Sequence, residues 1–140
     1  AMLMDLYSRR IVGWELLDNM KELLVLAAMR SVIALRQPGP DLIHHTDRGG
    51  QYAGNTYRQV LCRARMHQSM SRADNCYDNA FMESCFGTLK RELEMTEYEN
   101  HREAESEIAE YIRYYNFDRK HSSLEYLKPA QFETLINQPK

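Results

Sequence analysis

Two acidic residues, Asp47 and Glu83, stand where a carboxylate can take part in catalysis. Asp47 comes at the point where a short apolar segment runs into the sequence Arg48-Gly49-Gly50, and 35 residues separate it from Glu83. Ligands of open α/β sheets bind at the carboxyl ends of the strands. A carboxylate there and another on a crossing helix can share a divalent cation, because magnesium takes oxygen ligands and keeps several waters. The two residues therefore indicate a site for metal-assisted chemistry.

The helix predicted around Glu83 carries small and polar residues on the same face. Asn79, Gly87 and Lys90 lie four residues before, four after and seven after Glu83, and residues at these intervals share one side of a helix. This face has room for a metal ion and for a phosphodiester strand whose negative charge Lys90 would offset. A solvated helix face with a Glu–Lys pair has the same spacing, so spacing alone leaves both interpretations open.

Strands and helices alternate along the chain around these two positions. Apolar residues at helical spacing predict a helix from Lys21 to about Arg36, and the sequence Gln37-Pro38-Gly39-Pro40 ends it. The remaining predictions are, in chain order, two strands joined by a turn at Ser8-Arg9, the second over 11–16; a short buried strand over 42–45; a helix over 55–64; a strand over 68–70; a long helix from Asp78 or Asn79 to about Met95; a helix around 104–115; and a short helix beginning at Pro129. This alternation predicts an α/β fold in which helices cover a mostly buried sheet.

The same patterns predict which side chains are buried. The long helix has an apolar stripe made of Met82, Phe86, Leu89 and Leu93. Core positions, in preference to base-stacking surfaces, are assigned to Trp14, Tyr111, Tyr114 and Tyr115. Strand alternation places His45 on the side of Asp47 and His44 on the other. Both histidines are interpreted as packed, hydrogen-bonded strand residues, with a contact to a scissile phosphate as the alternative.

The composition limits the class of protein. With 140 residues, 44% of them hydrophobic, the chain fits one compact α/β domain. No apolar run of about 18 residues predicts a membrane span, and the first residues lack the features of a secretory signal. The net charge of −2 argues against a protein that coats nucleic acid by charge alone, although basic residues do cluster locally. Three scattered cysteines lack disulfide or zinc spacing, so we expect a reduced, cytoplasmic protein.

Five blocks of the sequence match patterns of one family. Residues 44–52, His-His-Thr-Asp-Arg-Gly-Gly-Gln-Tyr, are similar to the block "HSDRGSQY". Residues 69–72, 75–80 and 83–84 match "SMSRxGNCYDNAxxES", which Phe86, Leu89-Lys90 and Glu92 continue as "FxxLKxE". The closing pattern "YYNxxRxHxxLxxxxP" is matched from Tyr114 to Pro129, and "DLYSRxIVGW" from Asp5 to Trp14. With these blocks the chain resembles the bacterial insertion-sequence transposases encoded in two reading frames, which are relatives of retroviral integrases.

The resemblance implies an RNase H-like fold, a mixed sheet with flanking helices, and an Asp-Asp-Glu triad that holds two Mg²⁺ or Mn²⁺ ions. It identifies Asp47 as the second Asp, Glu83 as the Glu, and Lys90 as the family's basic residue at the transposon end. Two such ions about 3.5–4 Å apart stabilise the attacking and leaving oxygens of an in-line displacement at phosphorus. The implied function is a DNA transposase core that cleaves and joins DNA, with transposon ends and target DNA as partners. Further DNA contacts are assigned to Arg72, Asn79, Arg119 and His121, the last two with helix capping as an equal alternative.

The chain departs from the family at its start. In the family the first catalytic Asp lies on a first strand upstream of the block that begins at Asp5. We therefore expect one RNase H-like domain over 1–140, truncated at its N-terminus and lacking the first strand, with residues 100–137 as its C-terminal helical part. Metal binding should be weak and strand transfer slight or absent. Asp5 is expected to brace the turn or to pair with Arg9 or Arg10.

Two other expectations follow from a missing central strand. Its absence leaves an open sheet edge that can pair with another chain, either a second copy or another transposase subunit. One alternative function is a non-catalytic remnant that oligomerises or interacts with a full-length transposase. A further alternative, which does not depend on the missing strand, is an RNase H-like nuclease that hydrolyses nucleic acid without joining it.

Overall fold

Four strands and five α-helices follow one another in the residues that the computed structural model describes, which are 1–72, 79–94 and 97–137. In chain order they are β1 (Met2–Met4), β2 (Ile11–Trp14), α1 (Glu22–Arg36), β3 (Ile43–Thr46), α2 (Asn55–Arg63), β4 (His67–Met70), α3 (Ala80–Glu92), α4 (His101–Phe117) and α5 (Pro129–Ile136). Short 3₁₀ turns cover Gly50–Tyr52 and Ser122–Leu124. The predicted α/β class is confirmed.

The chain divides into two compact units. The first unit comprises Ala1–Leu3 and Val12–Glu83, and the second unit comprises Met4–Ile11 and Ser84–Lys140. The division falls inside α3, directly after Glu83. The C-terminal helical part expected over 100–137 lies within the second unit.

The strands pair in two places. β1 pairs with β2, and β3 pairs with β4 in parallel, with His45 opposite Ser69 and Thr46 opposite Met70. Parallel neighbours need a crossover, which α2 provides between β3 and β4. The prediction of one mixed sheet differs from the described residues, which form two separate two-stranded sheets.

Helix α1 packs on α2 to form the core of the first unit. The buried residues of this cluster are Val25, Leu26, Met29, Tyr57, Leu61 and Met66. Strand β2 lies against α1 so closely that a Cβ on Gly13 would stand 2.2 Å from Val32 Cγ2. Glycine is needed at position 13 for this approach, since any side chain would force the helix and strand apart.

The second unit is built on α4. Its buried residues include Tyr111, Ile112 and Tyr115 of α4, with Cys85 and Leu89 of α3 and Leu124. The buried side chain of Asn116 bonds the backbone of Ile11 twice: Oδ1 accepts from the Ile11 N–H at 2.9 Å, and Nδ2 donates to the Ile11 carbonyl at 2.9 Å. This amide acts on Ile11 as a neighbouring strand would, because it satisfies both polar groups of one strand residue.

Several predicted elements are confirmed to within one or two residues: α1, α2, β4, the β1–β2 turn and the start of α5. Helix α3 is described from Ala80 to Glu92, while Asp78 and Met95, given as its limits, lie outside the described residues. No described helix combines the length and the apolar character that a membrane crossing needs.

Three burial predictions are wrong. The strand over 42–45 was predicted to be buried, but Leu42 is 47% exposed and Ile43 is 67% exposed. Among the described residues, this strand pairs only with β4. Phe86 was placed in the buried stripe of α3 but is 37% exposed, and Cys85 is buried instead. Tyr114 was predicted to be a core residue but is 47% exposed, because Tyr111 and Tyr115 occupy the buried side of α4.

Candidate active site

Asp47 directly follows β3 and its side chain is exposed. One carboxylate oxygen, Oδ1, accepts a hydrogen bond from the Gly49 N–H at 2.8 Å. The remaining lone pairs of the carboxylate can bind a cation. In the part of the chain that the structure describes, no ion pair neutralises Asp47.

The loop that carries Asp47 is tied to the end of β4. The Ser71 N–H donates to the Thr46 carbonyl at 2.8 Å, and Arg48 Nε donates to the Ser71 carbonyl at 2.9 Å. His45 contacts two hydroxyls, with Nδ1 2.9 Å from Ser69 Oγ and Nε2 3.2 Å from Ser71 Oγ. The interpretation of His45 as a hydrogen-bonded strand residue is confirmed.

His44 points to the other side of β3. Its Nε2 lies 2.7 Å from the Tyr57 hydroxyl. Burial, and to a smaller extent the neighbouring His45, lowers the pKa of His44 to about 4. His44 is therefore an uncharged, packed histidine at neutral pH, as predicted.

Glu83 lies in the first turn of α3, in the first unit together with Asp47, and its side chain is exposed. Gly87 and Lys90 follow at helical spacing in the second unit. A Cβ added to Gly87 would meet nothing within 4 Å among the described residues, and Lys90 is exposed. Asn79 was assigned to this helix face, but it immediately precedes the first residue of α3. Within the helix the face therefore consists of Glu83, Gly87 and Lys90.

Arg119 is engaged in a bidentate bond within the second unit. Its Nε donates to Glu92 Oε1 at 3.0 Å and to Oε2 at 3.1 Å, and its Nη2 donates to Oε1 at 2.8 Å. The Tyr111 hydroxyl donates to Glu92 Oε2 at 3.0 Å. The hydrogen bonds from Arg119 are the main cause of a lowered pKa of the Glu92 carboxyl. Sequence reasoning missed this cluster, although Glu92 belongs to one of the matched blocks.

His121 packs its ring edge-on against Tyr115, with 4.7 Å between ring centroids. Burial, followed by the charge of Arg119, lowers the pKa of His121. Arg119 and His121 thus have structural partners, but among the described hydrogen bonds neither side chain caps a helix end; their contact with DNA stays a prediction. Arg72 is exposed two residues after β4.

Asp5 braces the turn between β1 and β2, as expected. Its Oδ1 accepts from the N–H groups of Tyr7 and Ser8 at 2.9 and 2.8 Å, and from the Ser8 hydroxyl at 3.2 Å. These three bonds account for its position in the hairpin without a metal ion.

The donor chemistry of this chain suits a hard cation. Asp47 and Glu83 offer carboxylate oxygens, the ligands that Mg²⁺ and Mn²⁺ take. Cys62 is exposed and Cys85 is buried, both as free thiols. Within the described ranges, no group of three or more His, Cys, Asp or Glu side chains is arranged to hold a metal ion.

Comparison with known proteins identifies the family of this chain. Residues 1–76 match the model of a family described as "Integrase core domain", and residues 64–129 match a second family model with the same description. The transposase for insertion sequence element IS904 of Lactococcus lactis subsp. lactis (strain IL1403) is 44% identical over 135 residues, which are 95% of this chain and 53% of that protein. An uncharacterized 31 kDa protein of insertion element IS600 from Shigella sonnei is 41% identical over 136 residues, 96% of this chain and 50% of its own length.

Transposase InsF for insertion sequence IS3A of Escherichia coli (strain K12) is 38% identical over 135 residues, 95% of this chain and 47% of that protein. The chain spans about half the length of the curated relatives it matches. These relatives confirm the resemblance to insertion-sequence transposases that the sequence blocks indicated. With its larger part matched by the family model, the chain belongs to the integrase core domain family.

Proposed function

We propose that this chain forms the catalytic core of an insertion-sequence transposase, which cleaves and joins DNA by metal-dependent phosphoryl transfer. The observation that carries the proposal is the exposed Asp47 carboxylate at the carboxyl end of β3, held by a backbone amide inside a block that resembles one of the insertion-sequence transposases. Transposon ends and target DNA are the proposed partners. The proposed fold is RNase H-like, a single functional domain over 1–140 in which 100–137 form the C-terminal helical part.

Asp47 and Glu83 are the proposed ligands of Mg²⁺ or Mn²⁺. When bound, such ions lower the pKa of an attacking hydroxyl and stabilise the departing 3′-oxygen. Asp47 and Glu83 are two of the three carboxylates that the resemblance to the family implies. Two carboxylates with completing waters hold a hard cation only weakly, so we expect weak binding and little strand transfer from this chain alone.

Lys90 and Gly87 are the proposed DNA contacts on α3. Lys90 places a positive charge two turns beyond Glu83, where it offsets the charge of a phosphate. Gly87 lies between them and leaves space for the strand to approach the helix backbone. Asn79 and Arg72 flank the start of α3 and the end of β4, and Arg119 and His121 complete the proposed set of DNA-contacting residues.

Strand β3 supports a proposal for oligomers. Among the described residues it pairs only with β4, and two apolar side chains, Leu42 just before the strand and Ile43 at its start, are 47% and 67% exposed. Such an edge adds a strand from another chain, a second copy or another transposase subunit, because unpaired backbone groups and apolar surface are both covered. A concentration-dependent mass in analytical ultracentrifugation, reduced by Ile43→Lys, tests this; a monomer at all concentrations contradicts it.

Titration of the chain with Mn²⁺, followed by calorimetry, tests the metal site. Asp47→Asn and Glu83→Gln should each weaken binding at least about tenfold, since each removes a charged ligand. Asp41→Asn and Glu110→Gln are matched controls, because both residues are exposed acids placed elsewhere on the same unit and on α4. Unchanged binding in Asp47→Asn or Glu83→Gln contradicts the assignment. If the wild-type chain binds no Mn²⁺ at millimolar concentration, the result favours the alternative function, a non-catalytic remnant that interacts with a full-length transposase.

An assay with end-labelled transposon DNA separates the two catalytic hypotheses. Joined products indicate a transposase, whereas cleavage without joining indicates a nuclease. Glu83→Gln serves as the negative control in both cases, because either activity requires the same carboxylate.

A further inference from the structure

Ser71 holds the residues on both sides of Asp47. It follows β4 by one residue and is 6% exposed. Its N–H and its hydroxyl both donate to the Thr46 carbonyl, at 2.8 and 3.2 Å, and its own carbonyl accepts from Arg48 Nε at 2.9 Å. The residue before Asp47 and the residue after it are therefore bonded to one buried serine.

The hydroxyl of Ser71 fixes the tautomer of His45. A serine hydroxyl has one proton, and Ser71 donates it to the Thr46 carbonyl. The contact of 3.2 Å between Ser71 Oγ and His45 Nε2 is then a bond in which Nε2–H donates. In the neutral ring Nδ1 is left as an acceptor, and it receives the Ser69 hydroxyl at 2.9 Å. The bonds run in one direction, from Ser69 through His45 and Ser71 to the Thr46 carbonyl.

We propose that Ser71 is a positioning residue for the Asp47 carboxylate, and that His45 orients the Ser71 hydroxyl for that purpose. The proposal rests on the proposed function, because it concerns the geometry of a proposed metal ligand. Asp47 is turned locally by the Gly49 N–H. The direction in which it projects is set by the backbone at Thr46 and Arg48, which Ser71 anchors.

The bond between Arg48 and Ser71 has a second effect on Asp47. Arg48 is the adjacent residue, and a guanidinium pairs readily with a neighbouring carboxylate. In the described structure its Nε is directed to the Ser71 carbonyl, and no ion pair joins it to Asp47. Since such a pair would compete with a cation for the carboxylate, the anchor keeps Asp47 available.

Two readouts test the proposal in the folded chain. Exchange of the Gly49 amide reports whether Asp47 keeps its place, and it needs no metal. Mn²⁺ affinity reports whether the carboxylate is useful as a ligand. Loss of one buried hydrogen bond should change each about fivefold in Ser71→Ala. Ser69→Ala is the matched control, since it removes a hydroxyl from the other end of the same chain of bonds, and it should change neither readout more than about twofold.

A pair of substitutions at His45 separates positioning from general stability. The amide nitrogen of glutamine reaches the place of Nε2, whereas that of asparagine reaches only the place of Nδ1. His45→Gln should therefore retain the donor to Ser71 and restore most of the Mn²⁺ affinity and Gly49 protection that His45→Asn loses. Thermal unfolding of all four variants identifies effects that follow stability alone. Long-range ¹H–¹⁵N couplings of the histidine ring, assigned by the signal missing from His45→Asn, should show the Nε2–H tautomer.

Three outcomes overturn the proposal: a wild-type rate of Gly49 exchange in Ser71→Ala, equal effects of Ser69→Ala and Ser71→Ala, or an Nδ1–H tautomer of His45. Should Ser71→Ala fail to fold, the two His45 variants decide in its place. A wild-type chain without Mn²⁺ affinity refutes the proposed metal site by itself, while amide exchange and the tautomer still decide the role of Ser71.

Discussion

Asp47 in the first unit and Glu92 and Glu133 in the second unit have different kinds of partner. In the first unit, on and just after β3, His44 contacts a tyrosine, His45 contacts two serines, and Asp47 accepts a hydrogen bond from a backbone amide. In the second unit the carboxylates of Glu92 and Glu133 are each paired with an arginine, Arg119 and Arg10. Glu92 and Glu133 are engaged in ion pairs, whereas Asp47 takes part in no ion pair among the described residues. The comparison thus distinguishes structural acids from a candidate metal ligand.

The largest effect expected from this difference is a loss of stability of the first unit at acidic pH. The pKa of His44 is about 4 in the folded chain and 6.5 in the unfolded one, so its contribution is fully present above pH 6.5 and is lost as the pH falls toward 4. The loss reaches up to about 3 kcal/mol. Urea unfolding at pH 7 and pH 4.5 should show a smaller pH effect in His44→Gln than in the wild type.

His67→Gln is the control for that measurement, because His67 is exposed and pairs only with the exposed Asp41 among the described residues. It should retain the wild-type pH effect. An equal pH dependence of the wild type and His44→Gln would show that His44 is not held uncharged, and the contrast between the units would weaken.

A smaller effect is expected from the ion pair in the second unit. Glu92→Gln removes the charge that Arg119 and Tyr111 share, and it should lower the free energy of unfolding by about 1–2 kcal/mol, a value reduced by partial exposure of the pair. Mn²⁺ affinity should stay within twofold of wild type. Glu110→Gln, on the exposed face of α4, should change neither. Weaker Mn²⁺ binding in Glu92→Gln would break the distinction between the two kinds of acid.

The smallest effect concerns Gly87. A Cβ there meets nothing within 4 Å among the described residues, so Gly87→Ala should stabilise α3 by about 0.5–1 kcal/mol through helix propensity. The same methyl group should weaken DNA binding in a filter assay if the strand approaches this face. Thr88→Ala is the neighbouring control. Increased stability with unchanged DNA binding would remove Gly87 from the proposed DNA face.

Periodicity and punctuation were sufficient for most elements. Helix α1 has a clear apolar spacing and a Pro-Gly-Pro end, and it was placed within one residue. The errors arose where hydrophobicity alone does not show which side of a strand or helix other elements cover. Ile43 is apolar and lies in a strand, yet it is largely exposed, and the buried side of α3 is shifted by one residue, from Phe86 to Cys85.

The site was predictable only in part, for a similar reason. Asp47 and Glu83 were selected by residue type and spacing, which are properties of the sequence. Ser71 was not, because its importance lies in four hydrogen bonds to residues 23 to 26 positions away, three of which involve a backbone atom. The pairing of Glu92 with Arg119 across 27 residues depends in the same way on how α3 meets α4.

The bond between Asn116 and Ile11 has a consequence for the order of folding. The two residues are 105 positions apart, so during synthesis the hairpin leaves the ribosome long before the amide that completes it exists. Contacts between residues so distant in sequence form late, because a long loop must close first. In the nascent chain the N–H and carbonyl of Ile11 must therefore bind water until α4 has been made, and a chain released before that point would lack this contact.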